Sequence, residues 1–562
     1  MTGARGRRVT ENTKQPAGLA LLTMALRNRK TGVMLVFGFA SGLPFSLLLG
    51  TLNAWLADAR VDLATIGILS WMGLAYAFKF LWSPLVDRLP LPGLERLGRR
   101  RSWILLCQLM IVAAFFLLAA TSPVAAIGTF ALVAVLAAFA SATQDVAIDA
   151  WRIDVADEVA TVGILSSIWQ IGYRIAALVG GALALVLASR ISWPAVYTIM
   201  GCLMLVAMAV TFLAPDTPRP EAITGEGAQD AAMADPRTRL IALSVVGLGW
   251  AWAIWTIGDF MVRALVTPAG APGAPNVLDF TRYVGPWIII ATIVVPTIVA
   301  AAANALKARR PITSRGDAQA GSMLVRHGYA ALVLPLSDLT SRLGWGMIVV
   351  LGLILSYRLC DSIWGPFAYP FYLDALHYSK DEVAFASKIF GVGMTIAGIS
   401  LGGVMFVTLG RMPTLMVGAI LAALTNLLYA DLASGAVWID GFARLTGLAM
   451  LVPDARILRL LIAISGENIA GGLAGAAFVA YLSAITSRTY SAVQYALLSS
   501  MTLLLGSLGR AALGDAIKTQ GYAPVFVFTA VLGLIAVFFV LAEWARERLT
   551  ARRERRQAEV VA

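Results

Sequence analysis

The sequence predicts an all-α membrane protein with 14 spans: two six-helix bundles and two additional transmembrane helices between them. Three observations carry this. The 562-residue chain is 59% hydrophobic and 14% charged, whereas a soluble domain is nearer half apolar and a quarter charged. Its apolar residues gather into segments long enough to cross a hydrocarbon core. Its basic residues concentrate in every second connection, the pattern that sets membrane orientation.

Taken in order, the spans begin near Thr31, Ala64, Ser102, Val124, Gly163, Trp193, Leu240, Val284, Trp345, Val383, Pro413, Leu458, Ala492 and Tyr522. The first follows a basic, polar tail over 1–31, read as cytoplasmic and without a cleavable signal peptide. Between Ser102 and Gln144 lie 43 residues with no Asp, Glu, Lys or Arg, enough for two crossings with Pro123 near the turn. Two connections are long and polar, 215–239 and 307–344; both read as cytoplasmic linkers with little regular structure. The spans they enclose, within 240–306, form an inserted pair. What remains is a six-span bundle over 32–214 and another over 345–545, ending in a basic cytoplasmic tail over 546–562.

With the N-terminus inside, cytoplasmic segments hold 30 Lys and Arg, outer loops and rims 10, and span interiors 4 (Lys79, Arg174, Arg358, Lys388). The exceptions are Arg444, Arg456 and Arg459, together in one outer loop. Numbering the spans 1 to 12 without the inserted pair provides an internal test. In a bundle of three-helix repeats the third helix packs outermost, so spans 3, 6, 9 and 12 should carry no ionic residue in their interiors. They carry none, whereas spans 2, 4, 5, 7, 8 and 10 do. Six plus six with a central cytoplasmic linker is the plan of the major facilitator superfamily.

The most informative stretch is Gln144–Arg152. Asp145, Asp149 and Arg152 fall at i, i+4 and i+7, on one helical face. Carboxylates within a membrane span are costly and mark an ion or substrate path. Nearby cation and water at the cytoplasmic end are expected to keep this pair ionised, and Asp154, on the far side of the helix, is expected to matter less.

Asp87–Arg88, then Gly98 and Arg99–Arg100–Arg101, form the loop after span 2. It reads as a gating loop whose carboxylate caps a neighbouring helix, or as a plain positive anchor. Lys79 reads as inward and paired with an acid, or as snorkelling. Tyr173–Arg174 and Tyr357–Arg358, with Asp361 one turn on, suit an anionic ligand because guanidinium forks match carboxylates; the competing reading is an Arg358–Asp361 pair that only holds helices. Glu467–Asn468, before a glycine-rich run, is the expected proton-exchanging site, since no basic residue lies within one turn of Glu467. A structural acid is the other reading. Gly38 and Gly42 read as packing positions. Trp71, Trp169 and Trp364 suit sugar stacking or packing equally.

An enzyme is not indicated. The two histidines, His327 and His377, lie far apart in loops; there is no Walker loop, metal cluster or cofactor motif, and Cys107, Cys202 and Cys360 read as packing residues. The net charge of +12 follows membrane orientation rather than a nucleic-acid stripe.

Several motifs in order give a family resemblance. Gly38-Phe-Ala-Ser-Gly-Leu-Pro44, Phe78-Lys-Phe-Leu-Trp-Ser-Pro-Leu-Val-Asp-Arg88 and Ser141-Ala-Thr-Gln-Asp-Val-Ala-Ile-Asp-Ala-Trp-Arg-Ile-Asp154 lie in the first half, with Glu467-Asn-Ile-Ala-Gly-Gly472 and Gln494-Tyr-Ala-Leu-Leu-Ser-Ser500 in the second. The chain resembles the AmpG family of muropeptide permeases. The resemblance implies proton-driven import of N-acetylglucosaminyl-anhydro-N-acetylmuramyl peptides across a bacterial inner membrane, feeding peptidoglycan recycling and, in some bacteria, β-lactamase induction. Gln144, Asp145 and Asp149 carry over best, with Gln494 on the same path. The partners implied are substrate, protons and the bilayer, in a monomer. Other cargo, such as acyl-CoA or drugs, and a non-transporting sensor remain the alternatives.

Overall fold

The structure, a computed structural model, describes residues 19–61, 72–89, 91–217, 234–267, 271, 273, 275–276, 279–309, 322–452, 454–508 and 510–561. Among them every element of regular structure is helical. Among the described residues eleven helices are long and apolar enough to cross a membrane. A twelfth candidate is the pair Leu334–Leu343 and Gly346–Asp361, bent by 107°. The protein is therefore a multi-pass membrane protein. The segment expected near Ala64 lies partly outside the described residues, as does Trp71, and the one near Ala492 is the helix Ser491–Leu508.

The candidate spans of the first half are Arg29–Asp58 (span 1), Arg99–Ala120 (span 3), Ile127–Val155 (span 4), Val162–Ala188 (span 5) and Trp193–Thr211 (span 6), and the broken helical stretch from Met72 to Arg88 stands where span 2 is expected. The inserted pair is Pro236–Arg263 and Arg282–Lys307. In the second half the candidate spans are Lys380–Thr408 (span 8), Arg411–Ala433 (span 9), Ala455–Ile485 (span 10) and Tyr522–Gln557 within helix Tyr522–Val561 (span 12), while the bent stretch from Gly346 and the helix Ser491–Leu508 stand where spans 7 and 11 are expected.

Span 1 packs on span 5 along a seam of glycines. A Cβ at Gly38 would lie 2.0 Å from the Trp169 carbonyl oxygen, and one at Gly172 2.1 Å from that of Leu35. Only glycine permits this backbone approach. The two halves meet where span 5 lies against spans 8 and 10, and where span 11 lies against spans 2 and 4. Spans 3 and 6 pack on each other, as do spans 9 and 12, away from that boundary. The interior of span 12 was expected to be free of ions; just past its expected end, Glu543 is fully buried and paired with Arg546 at 2.6 Å.

Spans 2 and 7 break at their charged residues. Pro84 has no N–H for the Phe80 carbonyl, and its ring would press against it. The Ser83 hydroxyl binds that carbonyl instead at 2.8 Å, and Lys79–Leu81 becomes a 3₁₀ turn. Arg358 stands likewise between Gly346–Ser356 and Leu359–Trp364.

The stretch 307–344 departs from the expectation of little regular structure. Met323–Leu332 and Leu334–Leu343 are helices, and the second buries Leu334, Leu336 and Leu339. Its polar face is tied to the inserted pair: Asn304 donates to the Ser337 carbonyl at 2.8 Å, and Ser337 donates to the Asn304 side chain at 2.6 Å. Short apolar runs within a polar composition hid these helices. The terminal tails are also partly ordered, as helix Leu19–Leu26 and as an unbroken continuation of span 12.

The cluster Arg444, Arg456 and Arg459 now has an account. Arg459 grips Asp440 with two bonds, 2.7 and 2.6 Å. Arg456 donates to the backbone carbonyls of Leu376 and His377 and stacks on Tyr378, and Arg444 bonds the Asp440 carbonyl at 3.3 Å. These charges hold a helical loop, Val437–Leu451, in place.

Candidate functional site

Two polar networks and one open pair of arginines lie along the boundary between the halves. The first is at the face that carries Arg99–Arg101, here termed the basic face. Asp87 accepts Arg100 at 2.7 Å and the backbone N–H groups of Ala492 and Val493 at 3.3 and 2.9 Å. It thereby caps span 11, where carboxylates are favoured by the unpaired N–H groups and the helix dipole. Arg100, fully buried, also binds Asp154 at 2.9 Å and the Ser491 hydroxyl at 2.8 Å. Ser491 in turn donates to Asp154 at 2.8 Å. Arg488 donates to the Ala156 carbonyl at 2.8 Å and Arg88 to that of Ala330. Arg99 binds the Asp87 carbonyl and Asp154, while Arg101 binds the carbonyls of Leu97 and Ala214 within the first half. The basic face is closed by these bonds. Asp154 was expected to matter less, yet it bridges both halves here; its outward direction on the helix is the direction of Arg100 and Ser491.

Deeper in the bundle, Asp149 lies 3.4 Å from Lys79 and 3.1 Å from Arg152. Arg152 is fully buried, its guanidinium held between the Trp169 and Tyr495 rings at 5.3 and 4.9 Å, and it donates to Ser483 of span 10 at 3.2 Å. Gln144 donates to the Ala40 carbonyl at 2.8 Å. Asp145 and Asp149 are buried, which corrects the expectation that water bathes them: span 11 covers the end of span 4. Ser41 Oγ, Ser141 Oγ, Gln144 Oε1, Asp145 Oδ1, Arg152 Nε and Nη1, Trp169 Nε1 and Gln170 Nε2 are buried with no hydrogen-bond partner among the described residues. Interior polar atoms are normally paired, so this cluster is suited to polar groups from outside the fold.

Arg174 and Arg358 lie within electrostatic reach of each other, one from each half. Arg358 donates to the Gly471 carbonyl at 3.1 Å and keeps a loose pairing with Asp361 at 4.0 Å, with a third of its side chain exposed. Among the described residues, Arg174 takes part in no ion pair. A Cβ at Gly475 would meet both Gln170 at 3.0 Å and Arg358 at 3.4 Å, so the glycine of span 10 makes room for these polar ends. Tyr173 packs beside Trp169 and Phe45.

Glu467 accepts the Tyr429 hydroxyl, and Asn468 accepts Thr395 at 2.8 Å. Two expected path residues are engaged in bonds within the fold. Tyr357 is buried, stacked on Phe478 and bonded to the Leu415 carbonyl at 2.9 Å. Gln494 spends its amide on Pro335, Asp338, Arg342 and the Ser487 N–H, at 2.7 to 3.1 Å. It fastens helix Leu334–Leu343 to span 11. Sequence reasoning missed Ser483, Tyr495, Gln170 and Tyr429, because uncharged residues in apolar spans give no spacing signal. The three cysteines are unpaired, and the side chain of Trp364 lies outside the described residues.

The comparisons with known proteins agree with this architecture. The family model described as Major Facilitator Superfamily matches residues 34–439. The chain is 27% identical over 516 residues to the anhydromuropeptide permease of Escherichia coli (strain K12), covering 90% of this chain and 78% of that one. It is 26% identical to the putative transporter AmpG 4 of Rickettsia conorii, covering 92% of this chain and 98% of that one. Among solved structures, the human organic anion transporter MFSD10 (TETRAN) has a TM-score of 0.52 at 13% identity, covering 91% of this chain and 99% of that one. The proton:xylose symporter XylE has 0.51 at 13%, covering 93% and 95%. These relatives are transporters, not enzymes. With its model matched across most of the chain, and with charged helices lining the seam between two six-helix sets, this protein belongs to the major facilitator superfamily.

Proposed function

We propose that this protein is a proton-driven secondary transporter that imports anhydro-muropeptides across a bacterial inner membrane for peptidoglycan recycling, and in suitable hosts β-lactamase induction. The observation that carries the reading is the pair Arg174 and Arg358, one from each half and within electrostatic reach of each other, with Gln170 near Arg358 and the Trp169 ring packed on Tyr173 next to Arg174 in the chain. A muropeptide offers peptide carboxylates for the two guanidiniums, and sugar rings and amides for the indole and the amide. The similarity to an anhydromuropeptide permease supports the same cargo.

In this reading the chain has 14 spans, both termini are cytoplasmic and the molecule works as a monomer. The basic face is the cytoplasmic one, and the 32–214 and 345–545 bundles rock about the shared seam. The inserted pair stands outside that seam, packed beside span 11. Asp87, Arg88 and Arg99–Arg101 act as the cytoplasmic gate. Lys79, Gln144, Asp145, Asp149 and Arg152 form the charged floor of the path. Asp361 tunes Arg358, and Glu467 with Asn468 is the coupling site.

Binding of a labelled GlcNAc-anhydroMurNAc tripeptide to the purified protein tests the cargo. Arg174→Gln and Arg358→Gln should each weaken it roughly tenfold or more, the scale of a lost charge-assisted pair. Tripeptide binding untouched by either substitution, or tighter binding of an acyl-CoA, would overturn the assignment.

A further inference from the structure

Glu467 is joined to a chain of hydroxyls whose direction is fixed. A tyrosine has one hydroxyl hydrogen. While Glu467 is ionised it can only accept, so Tyr429 donates its hydrogen to Glu467 Oε2, and in the 2.8 Å contact between Tyr372 and Tyr429 Tyr372 is then the donor. Both hydroxyl-bearing residues are buried. Phe371, Phe526 and Tyr522 crowd around them, with Phe371 5.0 Å from Phe526 and Tyr429 5.4 Å from Phe526, centroid to centroid. Tyr372 belongs to the π-helical segment Phe371–Ala375 that follows Pro370, an irregularity common at functional sites. One turn back, Tyr369 is 42% exposed, within electrostatic reach of Tyr372, and lies under the Lys388 ammonium at 5.5 Å.

We propose that Tyr372 and Tyr429 form the proton access route from the outer side to Glu467. This deepens, and rests on, the reading of Glu467 as the coupling acid. One proton passes per event. The Tyr429 hydroxyl gives its proton to the Glu467 carboxylate as it takes one from Tyr372, and Tyr372 is refilled from the side of Tyr369. No tyrosinate is left, and the only net change is one proton moved from outer water to Glu467. The charged groups facing Glu467 are Arg358 and Asp361 of span 7. Its partner from span 9 is Tyr429, while Asn468 and Thr395 beside it are neutral. Lys388 of span 8 faces Tyr369, and Arg459 near the start of span 10 is occupied by Asp440.

The test needs no cargo. A rapid acidification is applied to the purified full-length protein, and the carboxylic C=O infrared band of Glu467 is followed, identified by its loss in Glu467→Gln. In the wild type the band should rise promptly. In Tyr429→Phe and in Tyr372→Phe its rise should slow about tenfold or more, the scale on which a positioned proton donor acts. Tyr372→Phe leaves the Tyr429–Glu467 hydrogen bond in place, so it decides the matter should Tyr429→Phe fail to fold. A band that rises at the wild-type rate in both variants overturns the relay and leaves Glu467 as the coupling acid. No band assignable to Glu467 in the wild type overturns the reading of Glu467 itself, and the relay with it.

Discussion

The Asp87 carboxylate accepts the backbone N–H of Val493 at 2.9 Å, 406 positions along the chain and on the opposite half of the protein. A loop acid of span 2 is thus the cap of span 11. In the proposed alternating-access reading the bond holds only while the face carrying Arg100 and Asp154 is shut, so its strength would set part of the balance between the two access states.

Asp87→Asn should weaken this closure. It removes the charge from the bonds to Arg100, Ala492 and Val493, each such charge-assisted bond being worth about 1.5–3 kcal/mol. Spin labels at Leu89 and Thr489, read by electron–electron distance measurement, should show the population of the separated state rising about tenfold. An unchanged distance distribution would remove Asp87 from the gate.

The carboxylate of Asp149 serves both Lys79 and Arg152. Asp149→Asn leaves two buried cations without their common partner, a loss on the order of 3–5 kcal/mol. Its melting temperature in detergent should fall clearly, and uptake should be lost. Asp145→Asn, with Asp145 Oδ1 unbonded among the described residues, should lose uptake with a much smaller fall in stability. Equal melting of the two variants would contradict the pairing.

Gln494→Leu should loosen helix Leu334–Leu343 without touching the proposed cargo site. Its four bonds all run to Pro335, Asp338, Arg342 and Ser487, and stranded buried partners cost about 1–3 kcal/mol each. Amide hydrogen exchange over 334–343 should accelerate while tripeptide affinity stays within about twofold. A selective loss of affinity would return Gln494 to the path.

Asp440 supplies a pH signature in the outer loop. The Arg459 guanidinium holds its carboxyl below the ordinary carboxylate range. A depressed folded-state value stabilises above the unfolded value, about 3.9 for Asp, and that stability is lost as pH falls through the folded value. The melting difference between wild type and Asp440→Asn should therefore be constant from neutrality to about pH 5 and shrink below about pH 4. A difference that grows on acidification would contradict the pair.

Much of this was legible in the chain because membrane spans write themselves in hydropathy and charge. The face shared by Asp145, Asp149 and Arg152 follows from helical period alone, and so does the absence of ions in spans 3, 6 and 9. What the sequence hid was anything settled by a partner distant along the chain. Gln494 sits in a family motif, yet its bonds reach back to Pro335 and Asp338. Asp154 lies off the common face, yet Arg100 and Ser491 converge on it. Tyr429 is one aromatic among many until the Glu467 carboxylate is found against it. The helices at 323–343 were masked by polar composition, since their stability comes from packing on the inserted pair.

The central claim is gradient-driven import of anhydro-muropeptides, and one measurement bears on it most directly: accumulation of labelled GlcNAc-anhydroMurNAc tripeptide in proteoliposomes of the full-length protein, with and without an imposed inward proton gradient. The account predicts concentration of the tripeptide above the external level only with the gradient, collapse on adding a protonophore, and exchange without accumulation in Glu467→Gln. Uptake that is the same with and without the gradient, or no tripeptide uptake by folded protein, would contradict it.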